Sequence, residues 1–152
     1  VSETEINKYR SDEGEVLKQD VLRRVDLIET YLEEVLTIDG QRIENVRERL
    51  RNAVNDLKEK IDENRFEQEL IYYLEKYDIT EEKVRLQNHL NYFREAINSE
   101  DSNGKKLNFI TQEIGREINT IGSKSNFALM QQLVVQMKDE LEKIKEQALN
   151  VL

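Results

Sequence analysis

The chain has 152 residues with 23 basic against 32 acidic side chains, a net charge of -9, and a pI near 4.8, a balance that argues against gripping duplex DNA by phosphate neutralisation. The absence of cysteine excludes disulfides, cysteine-ligated metal clusters and thiol nucleophiles. With no proline and 5 glycines there is too little turn chemistry for a many-stranded sandwich or barrel, and no apolar run approaches the ~20 residues of a bilayer-crossing helix.

The N-terminus, Val1-Ser2-Glu3-Thr4-Glu5, is acidic, lacks the apolar stretch of a signal peptide and has no initiator Met. A cytoplasmic setting is expected, with the sequence starting inside a longer gene product. From about Gly14 to Ile38, Leu17, Val21, Val25, Ile28, Leu32 and Val35 recur at steps of four and three, one stripe of an amphipathic helix. Asp39-Gly40 predicts a stop. A second stripe then runs through Ile43, Val46, Leu50, Ala53, Val54, Leu57 and Ile61, with Arg47, Arg49 and Arg51 among acids on the outer side. Residues 1–63 are therefore predicted to form a long antiparallel hairpin, an arm for assembly, and 64–152 a second helical region. Glu33, Glu34, Glu44 and Glu48 are assigned to a solvated surface.

The next helix, Asn64 to Tyr77, carries Phe66, Leu70, Tyr73, Leu74 and Tyr77. Thr80 is expected to cap the following one, with acids in its positive first turn and Val84, Leu86, Leu90, Phe93 and Ile97 as its inner face. The polar stretch Asn98 to Gly104 is the clearest loop and the best candidate for a disordered tip. Leu107, Ile110, Ile114, Ile118 and Ile121 then build a helix up to Gly122-Ser123-Lys124-Ser125. The last begins near Asn126 and turns Leu129, Leu133, Val134, Met137, Leu141, Ile144 and Ala148 toward a core or a partner. The fold class is all-α, a bundle of long antiparallel helical hairpins, and such long, incompletely covered stripes favour an oligomer.

Chemistry concentrates in Gly104 to Ser125, which is net positive within an acidic chain: Lys105, Lys106, Arg116 and Lys124 stand against Glu113 and Glu117. On a helix, Gln112, Arg116, Asn119 and Ser123 share one edge, and Glu113, Glu117, Thr120 and Lys124 the adjoining edge. Such a face can bind phosphates through Arg and Lys, hold a divalent cation through paired carboxylates and orient sugar hydroxyls through amides. A polar seam between helices or subunits accounts for the same composition. Glu82, Arg85 and His89, the only histidine, share one face of the preceding helix, where an imidazole beside an apolar strip is either a satisfied interface residue or a ligand. Phosphate-cradling glycine loops, nucleophile elbows and strand-borne aromatic RNA motifs are absent.

The run Gly104-Lys105-Lys106-Leu107-Asn108-Phe109, continuing into Gln112-Glu113, Arg116-Glu117, Asn119-Thr120 and Ser123-Lys124-Ser125, resembles the C-terminal signature of the YicC-like (YicC/YloC) family of bacterial endoribonucleases. Asn64 to Glu69, Asp78-Ile79 with Glu81-Glu82, Arg85-Leu86 and His89-Leu90, and Glu13-Gly14 with Leu17, Asp20 and Arg24 resemble earlier motifs of the same family. The resemblance covers nearly the whole chain. It implies the helical C-terminal half of a protein about twice as long, metal-dependent cleavage of single-stranded RNA, a role in RNA turnover and a hexameric assembly. Carried onto these residues, it implies a site in which His89, Glu113 and Glu117, with Glu82, hold Mn²⁺ or Mg²⁺ for cleavage. Arg85, Lys105, Arg116 and Lys124 would bind phosphates, and Asn119 and Thr120 position the nucleotide. The family usually shows Asp at Asn108 and Asn at Gly115; if that Asp is a metal ligand, Asn108 would weaken a hard-cation site, and Gly115 costs roughly 1 kcal/mol of helix stability against Ala. A helical scaffold for docking partners and an RNA-binding protein without cleavage are the competing expectations.

Overall fold

The computed structural model describes residues 3–56, 62–99, 104–125 and 127–151, with side chains from 14 to 148 of these except 54. Five helices follow in order, α1 (Glu3–Asp56), α2 (Glu63–Tyr77), α3 (Thr80–Asn98), α4 (Gly104–Lys124) and α5 (Ala128–Val151). No strand occurs among the described residues, so the fold is all-α as the apolar spacing predicts. α1 packs on α5 and α3, α3 on α4, and α4 on α5, closing a four-helix bundle with α2 beside it. One core runs through it, built from Val21, Val25, Ile28, Leu32 and Val35 of α1, Leu86, Leu90 and Phe93 of α3, the five α4 residues Leu107, Ile110, Ile114, Ile118 and Ile121, and Met130, Leu133, Val134, Met137, Leu141 and Ile144 of α5. Every predicted apolar position of α4 is buried.

The turn expected at Asp39-Gly40 is not there. α1 continues through it for 54 residues, about 80 Å of helix, and the predicted hairpin of residues 1–63 is replaced by this single element. Gly40 has no left-handed backbone and open space where a Cβ would stand, so it behaves as a tolerated helical glycine. Continuing the stripe from Val35 by steps of four and three reaches Asp39 and Arg42 rather than apolar residues, which is what made the helix look finished. Beyond the bundle, α2 lies against the far part of α1. The Arg51 guanidinium stands 5.0 Å over the Phe66 ring and within 3.8 and 3.6 Å of Glu63 and Glu67. Leu57 and Ile61 of the second stripe, and the side chain of Val54, lie outside the described residues.

Several helix ends differ from expectation. Thr80 does not cap α3. It is the first helical residue, and Asp78 Oδ1 instead accepts its amide at 3.1 Å and its hydroxyl at 2.6 Å. Val84 and Leu129, predicted to face inward, are exposed. The predicted loop Asn98 to Gly104 falls for the most part outside the described residues. Gly115 and Gly122 sit where α4 meets α5: an added Cβ would lie 3.2 Å from Leu141 Cδ2 and 3.1 Å from Val134 Cγ1. The helix propensity lost at these two glycines is thus exchanged for close packing of the two helices.

Candidate functional site

The first turns of α3 lie beside the last turns of α4, because the two helices run antiparallel. The Asp78 carbonyl accepts from Lys124 Nζ at 2.9 Å, Arg85 meets Glu117, and further along Lys106 lies over Tyr92. Glu82 is 4% exposed and Glu117 5%. Two carboxylates at such depth require cationic partners. Glu82 Oε1 receives Lys124 Nζ at 2.9 Å and stands 3.6 Å from Arg85 Nη2, while Glu117 Oε1 accepts Arg85 Nε at 3.0 Å. Arg85 also donates from Nη1 to the exposed Glu81 at 3.2 Å. Glu82 Oε2 is buried with no hydrogen-bond partner among the described residues. At the edge of this cluster the bonds from Thr80, then the nearby Lys124 and Arg42, hold the Asp78 carboxyl below the usual carboxylate range against the opposing effect of burial.

Arg42 of α1 supports the cluster from behind. It is 3% exposed, donates to the carbonyls of Lys124 at 2.9 Å and Tyr77 at 2.7 Å, and pairs with Asp39 at 2.6 Å. One guanidinium thereby satisfies the C-terminal ends of both α4 and α2, carbonyls that have no partner inside their own helices. Burial pushes the Asp39 carboxyl up, and Arg42 works against that rise. Neither Arg42 nor Glu81 was among the predicted site residues. The signal for Arg42 was its place on the core stripe of α1.

Of the predicted residues, Glu82, Arg85, Glu117 and Lys124 come together. His89 stands one turn beyond Arg85, half-buried, and the antiparallel register sets Glu113, also half-buried, at the same level of α4. Lys105, Arg116 and Asn119 do not join them, since they are exposed on the outer face of α4, opposite its apolar stripe. Thr120 lies between the two faces and donates its hydroxyl to the Arg116 carbonyl at 3.0 Å. The predicted face is therefore two faces, an inner one sealed against α3 and an outer one open to solvent.

Comparison with known proteins decides the family. Residues 35–152 match the family model described as the C-terminal part of YicC-like endoribonucleases. The chain belongs to the YicC-like endoribonuclease family. It is 41% identical over 149 residues to a protein of Clostridioides difficile named "Probable endoribonuclease YicC", covering 96% of this chain and 51% of the relative. A Haemophilus influenzae protein of the same name is 32% identical over 148 residues, 97% of this chain and 52% of that one. The chain spans about half the length of these YicC relatives. The YicC-like match begins inside α1 at Val35, so Val21, Val25, Ile28 and Leu32 of the core precede it.

The YicC-like resemblance implies a divalent cation, and the residues test that implication. Glu82, Glu113 and Glu117 offer oxygen donors and His89 a nitrogen donor, the chemistry that suits Mn²⁺ or Mg²⁺, and the orphaned Glu82 Oε2 has room in its valence for a partner. Among the described residues of one chain, however, no three His, Asp or Glu side chains are grouped to hold a metal ion. Arg85 and Lys124 already stand at the Oε1 atoms of both buried carboxylates. The donor set fits in kind but does not close around an ion within one chain. Among the described residues no helix is long and apolar enough to cross a membrane.

Proposed function

We propose that this chain is the C-terminal half of an endoribonuclease that cleaves single-stranded RNA, with the α3–α4 seam as the reaction site. The observation that carries the reading is the gathering of Glu82, Arg85, Glu117 and Lys124 from two helices into one cluster. Buried Glu82 and Glu117 act as positioning residues that fix Lys124 and Arg85. The Arg85–Glu81 bond is exposed and worth little, so a phosphodiester displaces Glu81 and takes the guanidinium in bidentate fashion. His89, one turn along the same seam, accepts at a ring nitrogen the proton of the oxygen that bonds to phosphorus and returns it to the oxygen that leaves as the other P–O bond breaks, a role worth typically 10²–10⁴-fold in rate, and Glu113, level with it in the antiparallel register, steadies the imidazolium. Lys105, Arg116 and Asn119 on the outer face of α4 take neighbouring phosphates and sugars, and Thr120 lies between the two faces. Metal dependence and assembly into a homo-oligomer in the cytoplasm belong to the same proposal. Since no three ligands are grouped among the described residues of one chain, an ion would draw further donors from a second copy.

The experiment is to incubate the complete protein with end-labelled single-stranded RNA in Mn²⁺, in Mg²⁺ and in chelator. New internal ends with either metal, lost in chelator and suppressed on a duplex of the same sequence, are expected. RNA bound without new ends would favour a non-cleaving binder. Neither binding nor cleavage would favour the docking scaffold, for which the exposed Ile71, Tyr72, Val84 and Val135 are the best argument.

A further inference from the structure

Phe109 is 60% exposed in the second turn of α4, opposite the buried stripe formed by Leu107, Ile110 and Ile114. A phenyl ring left in water forgoes the stabilisation of burial, and its surroundings say what would cover it. Lys105 lies one turn before it, Gln112 one turn after and Arg116 two turns after, all on the same line of the helix and all exposed. Neither Lys105 nor Arg116 has a carboxylate partner among the described residues, whereas Arg24, Arg85, Arg94 and Lys124 in the same bundle are all paired. Lys106, by contrast, is turned toward α3, 5.2 Å over the Tyr92 ring. A single ring on a polar line, with a cation on either side and an amide between, is a poor match for an apolar protein surface. It matches a strand whose bases present flat faces and whose backbone presents phosphates.

We propose that Phe109 is a base-stacking residue: one unpaired base of a single strand lies on its ring while the flanking phosphates meet Lys105 and Arg116. This rests on the RNA reading above and adds to it a sequence-tolerant grip on unpaired nucleotides outside the α3–α4 seam. A duplex, whose bases are already stacked on one another, cannot use the ring, so the site selects single strands.

The test is fluorescence-anisotropy titration, in chelator so that nothing is cut, of a short labelled oligouridylate and of an abasic strand of equal length. Phe109→Ala is expected to weaken oligouridylate binding by roughly 5- to 150-fold, to leave the abasic strand unaffected and to leave the salt dependence unchanged, since no charge is lost. Arg116→Gln is expected to weaken both strands and to lower the slope of log K against log salt by about 0.7. Phe109→Trp should bind as well as wild type, and because the ring is exposed none of these variants should lower the melting temperature. Equal oligouridylate affinity for wild type and Phe109→Ala, or an equal loss on both strands, would overturn the stacking role alone. If wild type binds neither strand, the RNA reading falls and Phe109 with it.

Discussion

Removing the Arg42 guanidinium would leave the carbonyls of Tyr77 and Lys124 without their donor and the Asp39 carboxylate without its cation. Arg42→Ala is expected to destabilise the fold by about 3–5 kcal/mol in urea unfolding, the cost of breaking a buried charged network from one side. Arg42→Lys should recover only part, because one ammonium cannot span two carbonyls and a carboxylate. A loss below about 1 kcal/mol for Arg42→Ala would mean that the contacts are surface-like. A second residue-scale expectation concerns acid. The Gln87 hydrogen bond, then Arg94, hold the Glu29 carboxyl below its ordinary 4.5 despite burial. With the folded value below the unfolded one, this stabilisation is complete above the unfolded value and is lost as pH falls through the folded value. Glu29→Gln should therefore melt lower than wild type at about pH 7 and lose less of its stability on acidification. Identical acid profiles would contradict it. Asp39 runs the other way, its raised carboxyl taking a proton early and offsetting part of the acid loss. The apolar stripes of α1 from Val21 to Val35 and of α4 were legible from spacing alone, whereas Val84, Leu129 and Ala53, placed on inward stripes, are exposed. Arg42 and Glu82 were not recognised as buried, nor Asp39 as half-buried, because a charged side chain reads as solvated unless its partners, distant in sequence, are known.

At the scale of elements, α1 tests the structure against the simplest reading of its sequence. If Gly40 lies inside a continuous helix with open space at its Cβ, Gly40→Ala should stabilise the protein by roughly 0.5–1 kcal/mol and raise the melting temperature by about 1–4 °C. A left-handed turn at Gly40 would make the same substitution destabilising. Gly122→Ala should gain less or lose stability, since its Cβ would press on Val134 Cγ1 at 3.1 Å. Helix existence and the core faces of α3, α4 and α5 followed from periodicity. The turn at Asp39-Gly40 was mistaken because two polar residues interrupted the apolar stripe just where a glycine stood. The exposure of Val84 shows the complementary limit, since a hydrophobic residue off the stripe faces solvent whatever its type.

For the whole molecule, α4 divides into one face covered by α3 and one open to solvent. Its inner edge is held against α3 by ion pairs, and its outer edge carries an exposed ring with Lys105 and Arg116, which have no carboxylate partner among the described residues. The motif-bearing segment was legible in sequence as a polar, net-positive face, but one helix alone could not say which of its edges α3 would cover. The partition came from the Arg85–Glu117 and Lys124–Glu82 pairs, which join residues 32 and 42 positions apart. The claim that the seam performs the chemistry is tested most directly by RNA cleavage rates of the complete protein, wild type against His89→Ala and Glu117→Gln, with binding measured alongside. Rates lower by about 10²-fold or more in His89→Ala, and reduced in Glu117→Gln, with RNA affinity retained, are the predicted result, while cleavage at the wild-type rate by both variants would contradict it.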